Sequence, residues 1–463
     1  MQPLAKPQNK YWLTFGLCAL AAALVFLPFY IVDGGIFLYA GDFNSQQIPF
    51  YYYANEFIKS GGGTFSWATD LGSDFWNSYS FYLAGSPFFW LTLLFPAAWQ
   101  PFLMAPMLVL KFAVAGGGAY LWTRRWVKDP NMAVLAGCLY AFSGFTVYNV
   151  FFNHFVDVVA LFPYLLWTLD EAVLNKRRGP FAVLVALNLL NNYFFFAGQV
   201  VFLILYFVCM TASGVYRWNG KTFGALAAES LLGCGMGCVL AWPALLSLAE
   251  NPRTVDPFSG FGYIFYSKAQ QYGAILYSLF FPPDCPYMPV IFDEGVIKWT
   301  SMSAYLPLMG MAGVIAYLRC TQKTAFRRIL FTSLVMALVP ALNSAFYAMN
   351  SSYYARWWYM PILVMCAASV QALEEEHIDI KKGVRPTVAV LLAFCVFAFL
   401  PVEEDGEWSF GVIEYPEKFW LNLGLALLGV AVFWLIWVQY RRRPLPARRL
   451  TAGVLAFGCL YSI

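Results

Sequence analysis

Charge is scarce in this 463-residue chain: Asp, Glu, Lys and Arg make up 12% of it, against about a quarter in a soluble globular domain. Histidine is scarcer still. His154 and His377 stand too far apart in the sequence to suggest a histidine-based metal cage. There is no low-complexity linker and no internal repeat, and the missing repeat disfavours transporter folds built from duplicated halves. What the chain has instead is apolar bulk, with 60% hydrophobic and 19% aromatic residues and a mean hydropathy of +0.60. One or two soluble cores cannot hide that much apolar surface. The composition predicts an all-α polytopic membrane protein, so the net charge of +4 is no sign of a nucleic-acid partner.

Ten cysteines raise the question of disulfides or zinc. Eight of them fall inside apolar runs, Cys320 sits at a helix end, and only Cys285 lies in a long polar loop. Cys234 and Cys238 share a helix face in a Cys-Gly-Met-Gly-Cys stretch that reads as small-residue packing. Neither a structural disulfide nor a zinc site is expected.

A bilayer core needs about 20 apolar residues per helix. That ruler places segments near 11–32, 102–123, 131–150, 155–174, 180–192, 194–214, 222–248, 301–319, 325–342, 357–373, 386–401 and 417–440. A final apolar run starts near 450, giving about 12–13 transmembrane helices in a single transmembrane domain over 1–463. With the N-terminus in the cytoplasm, 22 of the 29 Lys and Arg fall on inner loops. The opposite orientation violates the positive-inside rule, so a cytoplasmic N-terminus is expected. The first segment is longer than the core of a signal peptide and reads as a retained helix. The closing run is too short to span comfortably, as in a chain that is a piece of a longer protein.

Two outward loops are long, 33–86 and 249–300, and a third at 402–416 reads as a solvated acidic loop. In the first, Asn44 or Ser45 can cap a helix that tolerates Pro49 in its early turn and ends at Gly61-Gly62-Gly63. Ile48, Tyr51, Tyr52 and Ile58 fall roughly along one side, which suits a helix lying at the membrane surface. Asp42 precedes this helix, where the positive end of the dipole favours its carboxylate. A carboxylate at that depth can act as general base between an aqueous hydroxyl and a lipid headgroup. It can equally serve only as a helix cap.

The arrangement resembles the YfhO-like family of bacterial membrane proteins, within the GT-C superfamily of polyprenyl-phosphate-dependent glycosyltransferases. The resemblance rests on Gly41-Asp42-x-x-x-Gln46-x-x-Pro49-Phe50, Leu71-Gly72-Ser73-Asp74-Phe75, Ser86-Pro87, Asn153-His154-Phe-Val-Asp157, Leu161-Phe-Pro163 and Arg356-Trp357-Trp358. It spans most of the chain, though family members generally continue further at the C-terminus. It implies a GT-C-like bundle whose first outer loop carries the catalytic base, Asp42. Sugar would pass, with inversion, from undecaprenyl phosphate to a cell-surface polymer such as a teichoic acid. The resemblance also implies a bacterial cytoplasmic-membrane location with the site facing outside, and the donor-synthesising glycosyltransferase as a possible partner. No cofactor is implied, and the outer carboxylates show no metal-ligand spacing.

Other polar residues carry two readings each. Asp74 can contact sugar hydroxyls or hold an Asx turn, and Asp70 the same. His154 and Asp157, at i and i+3, can bind the acceptor or merely complete a helix start. Gln46 belongs to the Asp42 motif and is a candidate substrate contact. Lys111, mid-segment, needs a partner: either the donor phosphate or, favoured, a structural pair with Glu229. Arg356, flanked by aromatics, suits a phosphate or an interfacial anchor. The second loop, with Gln270-Gln271-Tyr272, Asp284 and Asp293-Glu294, shapes an acceptor groove or a lid. Without a Walker motif or dinucleotide fingerprint, a cytoplasmic sugar nucleotide is not the expected donor. The rival function is a lipid-linked sugar flippase or transporter, in which Lys111 and Glu229 would be central near the midplane.

Overall fold

The computed structural model describes residues 9–217, 219–249, 263–292, 298–349, 353–404, 407–410, 413, 415–440 and 447–462. Asp293 and Glu294 lie outside the described residues. The chain runs through α1 (Tyr11–Val32), α2 (Ile48–Lys59), α3 (Phe75–Tyr79), α4 (Pro87–Thr92), α5 (Gln100–Thr123), α6 (Pro130–Ala141), α7 (Gly144–Tyr148), α8 (Asn153–Leu174) and α9 (Pro180–Asn191). It continues through α10 (Tyr193–Ala212), α11 (Gly220–Ala249), α12 (Gln270–Phe280), α13 (Ala312–Cys320), α14 (Ala325–Leu338) and α15 (Pro340–Ser344). The last helices are α16 (Tyr359–Glu374), α17 (Lys381–Phe397), α18 (Pro416–Tyr440) and α19 (Ala447–Ser462).

Each expected apolar segment contains a helix. Among the described residues, six stretches are long and apolar enough to cross a membrane by themselves. They become seven if α14 and the following Pro340–Tyr347, bent by 107°, form one broken span. The break falls at Pro340, whose ring disfavours a helical residue before it. Others of the expected 12–13 are shorter, such as α9 and α16. α8 has the length but carries Asp157, Asp170 and Glu171, and it is buried along nearly its whole surface. It is the core helix against which α5, α9 and α16 pack.

Small residues set the closest crossing. A Cβ on Gly137 of α6 would lie 2.6 Å from the Gly116 carbonyl of α5, and one on Gly116 would collide with Cys18 of α1. Without those glycines three helices could not approach this closely. The same device joins α11 to α9 through Gly233 and Gly237. Those glycines form the packing face there, while Cys238 is exposed.

One expectation fails, and the outer loops carry more local structure than their sequence indicates. The segment 301–319 is not one helix: residues 301–311 are buried but non-helical, and only Ala312–Cys320 is helical. Pro307 cannot donate, and Ser301, Leu308 and Gly310 take positive φ. Buried irregular backbone is tolerated where protein partners satisfy it, and here Ala304 N donates to Ser278 O while Gly144 N donates to Tyr305 O. The acidic third loop contains an antiparallel hairpin, Pro401–Glu404 with Glu407–Phe410. A smaller one, Phe65–Ser66 with Ser73–Asp74, lies in the first long loop.

Candidate functional site

The first long loop starts its helix earlier than the capping pattern suggests. Pro49 has no N–H for the Ser45 carbonyl, and the turn ahead of it, Phe43–Gln47, opens to i→i+5 bonds, with Ile48 N donating to Phe43 O. Neither Asn44 nor Ser45 caps. The Asn44 side chain accepts from Tyr39 N, and Ser45 Oγ donates to the Gly41 carbonyl. α2 buries Tyr51, Ala54, Asn55 and Phe57 and leaves Tyr52 exposed, so the side expected to carry both Tyr51 and Tyr52 is divided between core and surface. Asn55 Nδ2 donates to Phe95 O at 3.1 Å and Lys59 Nζ to the same oxygen at 2.5 Å, pinning α2 to the bend after α4.

Asp42 stands at the head of that wide turn and makes no side-chain cap bond. Its carboxylate is partly buried, and no hydrogen-bond or ion-pair partner for it occurs among the described residues. Burial alone holds its carboxyl above the ordinary carboxylate range. The backbone beside it is tightly seated, since a side chain on Gly41, at φ +44°, would strike the Phe151 ring.

Five residues on, the same turn inserts Gln47 into the core. Gln47 Oε1 lies 3.3 Å from His154 Nδ1, and the imidazole packs edge-on to Phe81 and Tyr82. His154 Nε2 and Gln47 Nε2 are buried without a hydrogen-bond partner. Gln46, the residue the motif singles out, is half-buried one position away. The extra residue in a π turn changes which side chain faces inward, so regular helical spacing does not find Gln47.

Beneath this lies a closed ionic cluster. Lys111 Nζ sits 2.6 Å from Asp157 Oδ1, 2.6 Å from Asn153 Oδ1 and 3.1 Å from Asn153 O, and Lys111 is fully buried. Ser86 Oγ donates to Asp157 Oδ2 at 2.5 Å and also caps α4 by accepting from Phe89 N. Lys111 therefore pairs with Asp157, and the expected Glu229 pairing is overturned. Glu229 instead accepts from Gly179 N at 3.0 Å and lies 3.6 Å from Arg178. Mid-segment position alone did not reveal which carboxylate lies across the helix interface.

Arg356 has a different setting. Its guanidinium lies 3.8 Å from the Tyr354 ring centre, 5.1 Å from Phe155 and 5.9 Å from Phe152. Its Nε is buried without a hydrogen-bond partner, and no carboxylate pairs with it among the described residues. The next residues, Trp357 and Trp358, line an apolar groove of about 570 Å³ together with Leu279, Met311, Leu334 and Met365. Phe151 and Phe152, in edge contact at 4.9 Å, connect the Asp42 segment to Arg356.

The remaining candidates are placed more plainly. Asp74 caps α3 by accepting from Asn77 N at 2.8 Å, and Asp70 is exposed in a left-handed turn. Asp284 in the second long loop accepts from Val290 N and Asn422 Nδ2 and lines a small cavity with Tyr148. Its carboxyl is pushed up to about 7, chiefly by burial and against those hydrogen bonds. Among the described residues no group of three His, Cys, Asp or Glu could hold a metal.

The family model for the bacterial membrane protein YfhO matches residues 14–461. The chain belongs to the YfhO family. No curated protein matches it significantly. Among solved structures, this YfhO-family chain is similar to ArnT from Cupriavidus metallidurans bound to undecaprenyl phosphate. The identity is 14% and the TM-score 0.49, over 98% of this chain and 77% of that one.

Proposed function

We propose that this YfhO-family protein is a GT-C-type membrane glycosyltransferase, taking a sugar from polyprenyl phosphate and giving it to a cell-surface polymer such as a teichoic acid. The observation that carries the reading is a pair of opposite charges, Asp42 and Arg356, neither with a charged partner among the described residues. They lie on either side of the Phe151–Phe152 turn. By the positive-inside argument that turn is at the outer end of the bundle. A guanidinium left without a carboxylate suits a phosphate through its forked donors. The groove beginning at Trp357 suits an apolar isoprenoid.

In this reading Asp42 accepts the proton of the acceptor hydroxyl while its oxygen attacks the anomeric carbon. The bond from that carbon to the phosphate oxygen breaks, and polyprenyl phosphate leaves with the electron pair. One displacement inverts the anomeric configuration. Arg356 faces the phosphate and stabilises the charge it gains. Gln46, His154 and Gln47 border the substrate, whereas Lys111 and Asp157 hold the frame. The flippase alternative finds no support in Lys111 and Glu229, which make separate, local pairs.

The test is reconstitution with polyprenyl-phosphate sugars and candidate acceptor polymers, assaying transfer and stereochemistry. Inverted product formed by the parent and lost in Asp42→Asn upholds the reading. A parent that moves donor lipid across the bilayer but transfers nothing overturns it.

A further inference from the structure

The opposite end of the bundle holds a second polar cleft that the proposed transfer does not use. About 760 Å³ of open space lies between the start of α1 and the ends of α5 and α8, bordered by Asn9, Tyr120, Arg124, Arg125, Trp167 and Glu171. Arg125 and Glu171 form a close ion pair, and Arg125 Nε remains buried without a hydrogen-bond partner. Arg124 gives one N–H to the Val127 carbonyl and has no carboxylate partner among the described residues. A third guanidinium, Arg177, lies 6.0 Å from the Trp167 ring centre. Two arginines thus border the cleft beside one glutamate, and a third stands over the Trp167 ring at its edge.

Position narrows what this excess positive charge is for. The cleft is at the end where the basic loops gather, which the positive-inside rule assigns to the cytoplasm. The headgroups of that leaflet are anionic, and basic pockets between helices there suit them. Asn9 borders the cleft and leads directly into α1, whose Trp12, Leu13, Leu20 and Leu24 are exposed along the lipid-facing side. A headgroup in the cleft thus sits at the start of a helix whose exposed side chains are apolar and can receive acyl chains. A soluble anion would gain nothing from that surface.

We infer that the cleft bordered by Arg124, Arg125 and Trp167 binds the phosphate of an anionic phospholipid of the inner leaflet. Arg124 and Arg177 supply the uncompensated charge, and the Arg125–Glu171 pair fixes the wall. The acyl chains lie along α1.

The experiment uses the full chain in detergent, titrated separately with phosphatidylglycerol, phosphatidylcholine and inorganic phosphate. Thermal stability and bound-lipid counts by native mass spectrometry are both read. Phosphatidylglycerol should bind and stabilise, and phosphatidylcholine should do so much less. Arg124→Gln should weaken apparent phosphatidylglycerol affinity about fivefold, the effect of one lost cation near an anionic surface. Arg124→Lys should fall between, and Lys381→Gln, at the same end but outside the cleft, should behave as the parent. Should Arg124→Gln fold poorly, the Arg124→Lys and Arg177→Gln titrations still decide the matter. Equal stabilisation by inorganic phosphate alone would overturn the lipid assignment. Phosphatidylglycerol binding unchanged in Arg124→Gln or in Arg177→Gln would overturn the site itself.

Discussion

Two polar regions sit almost back to back near the start of α8, and they differ in one respect. In the Lys111–Asp157–Asn153–Ser86 cluster nearly every charge has a close partner. Around Asp42 and Arg356, neither charge has an oppositely charged partner among the described residues, and Arg356 rests on aromatic rings. A buried charge is costly unless it is paired and hydrogen-bonded, so the first region reads as a finished structural joint. The second keeps charges without charged partners among the described residues, with His154 Nε2 and Gln47 Nε2 also unsatisfied nearby, as the proposed substrate site requires. The pairing, more than the residue type, separates frame from site.

The sharpest way to break that comparison is to neutralise one carboxylate from each region. Asp42→Asn should lower transfer by about 10²–10⁴-fold with the protein still folded, since only the proton acceptor is lost. Burial raises the Asp42 carboxyl, and the base must be ionised. The parent rate should therefore rise with pH through a value above the ordinary carboxylate range and then level off. That acid limb should vanish in Asp42→Asn. A rate–pH profile unchanged by the substitution would remove Asp42 from the chemistry.

Lys111→Ala should act on stability instead. Leaving Asp157 buried and unpaired costs about 3–5 kcal/mol, whereas replacing both partners, as in Lys111→Met with Asp157→Leu, should recover much of it. Thermal unfolding in detergent reads both. If Lys111→Ala is as stable as the parent but binds donor poorly, the cluster belongs to the site after all.

Arg356→Gln should follow with a milder effect, seen in the donor KM more than in folding. Losing a charge-assisted hydrogen bond to phosphate is worth about 1.5–3 kcal/mol, which corresponds to about 10–100-fold. Arg356→Lys keeps the charge but not the fork and should recover only part. A donor KM untouched by either change would make Arg356 an aromatic-stacked anchor.

The apolar architecture was largely legible because burial in a membrane writes itself into long runs: Tyr11–Val32 and Tyr193–Ala212 appear almost where the runs place them. Hydropathy reports burial without conformation, however, so the buried 301–311 stretch read as helix. Pro307 was the available signal against it. In the proposed site, Asp42 could be singled out by its place before the outer-loop helix and by the family motif, and Arg356 by its flanking aromatics. Their surroundings could not. Gln47 joins Gln46 because a proline widens one turn and turns it inward to His154, and Lys111 pairs with Asp157 rather than Glu229 because helix neighbours are decided by packing. Gln47, Ser86 and Asn153 carry ordinary side chains whose roles arise only from where the fold puts them.

The smallest test concerns Asp74, which sequence alone allows as a sugar contact. Its carboxylate accepts from Asn77 N at the start of α3, so it has a partner and belongs, by the same criterion, with the frame. Asp74→Ala should cost about 1 kcal/mol, the usual loss for an N-cap, and leave kcat nearly unchanged. Asp74→Ser is the more informative variant, because a hydroxyl caps as well as a carboxylate while removing the charge. Stability restored in Asp74→Ser with normal transfer confines the residue to capping. Stability restored with transfer lost would mean that a satisfied carboxylate can still serve the substrate, and that pairing does not divide frame from site in this loop.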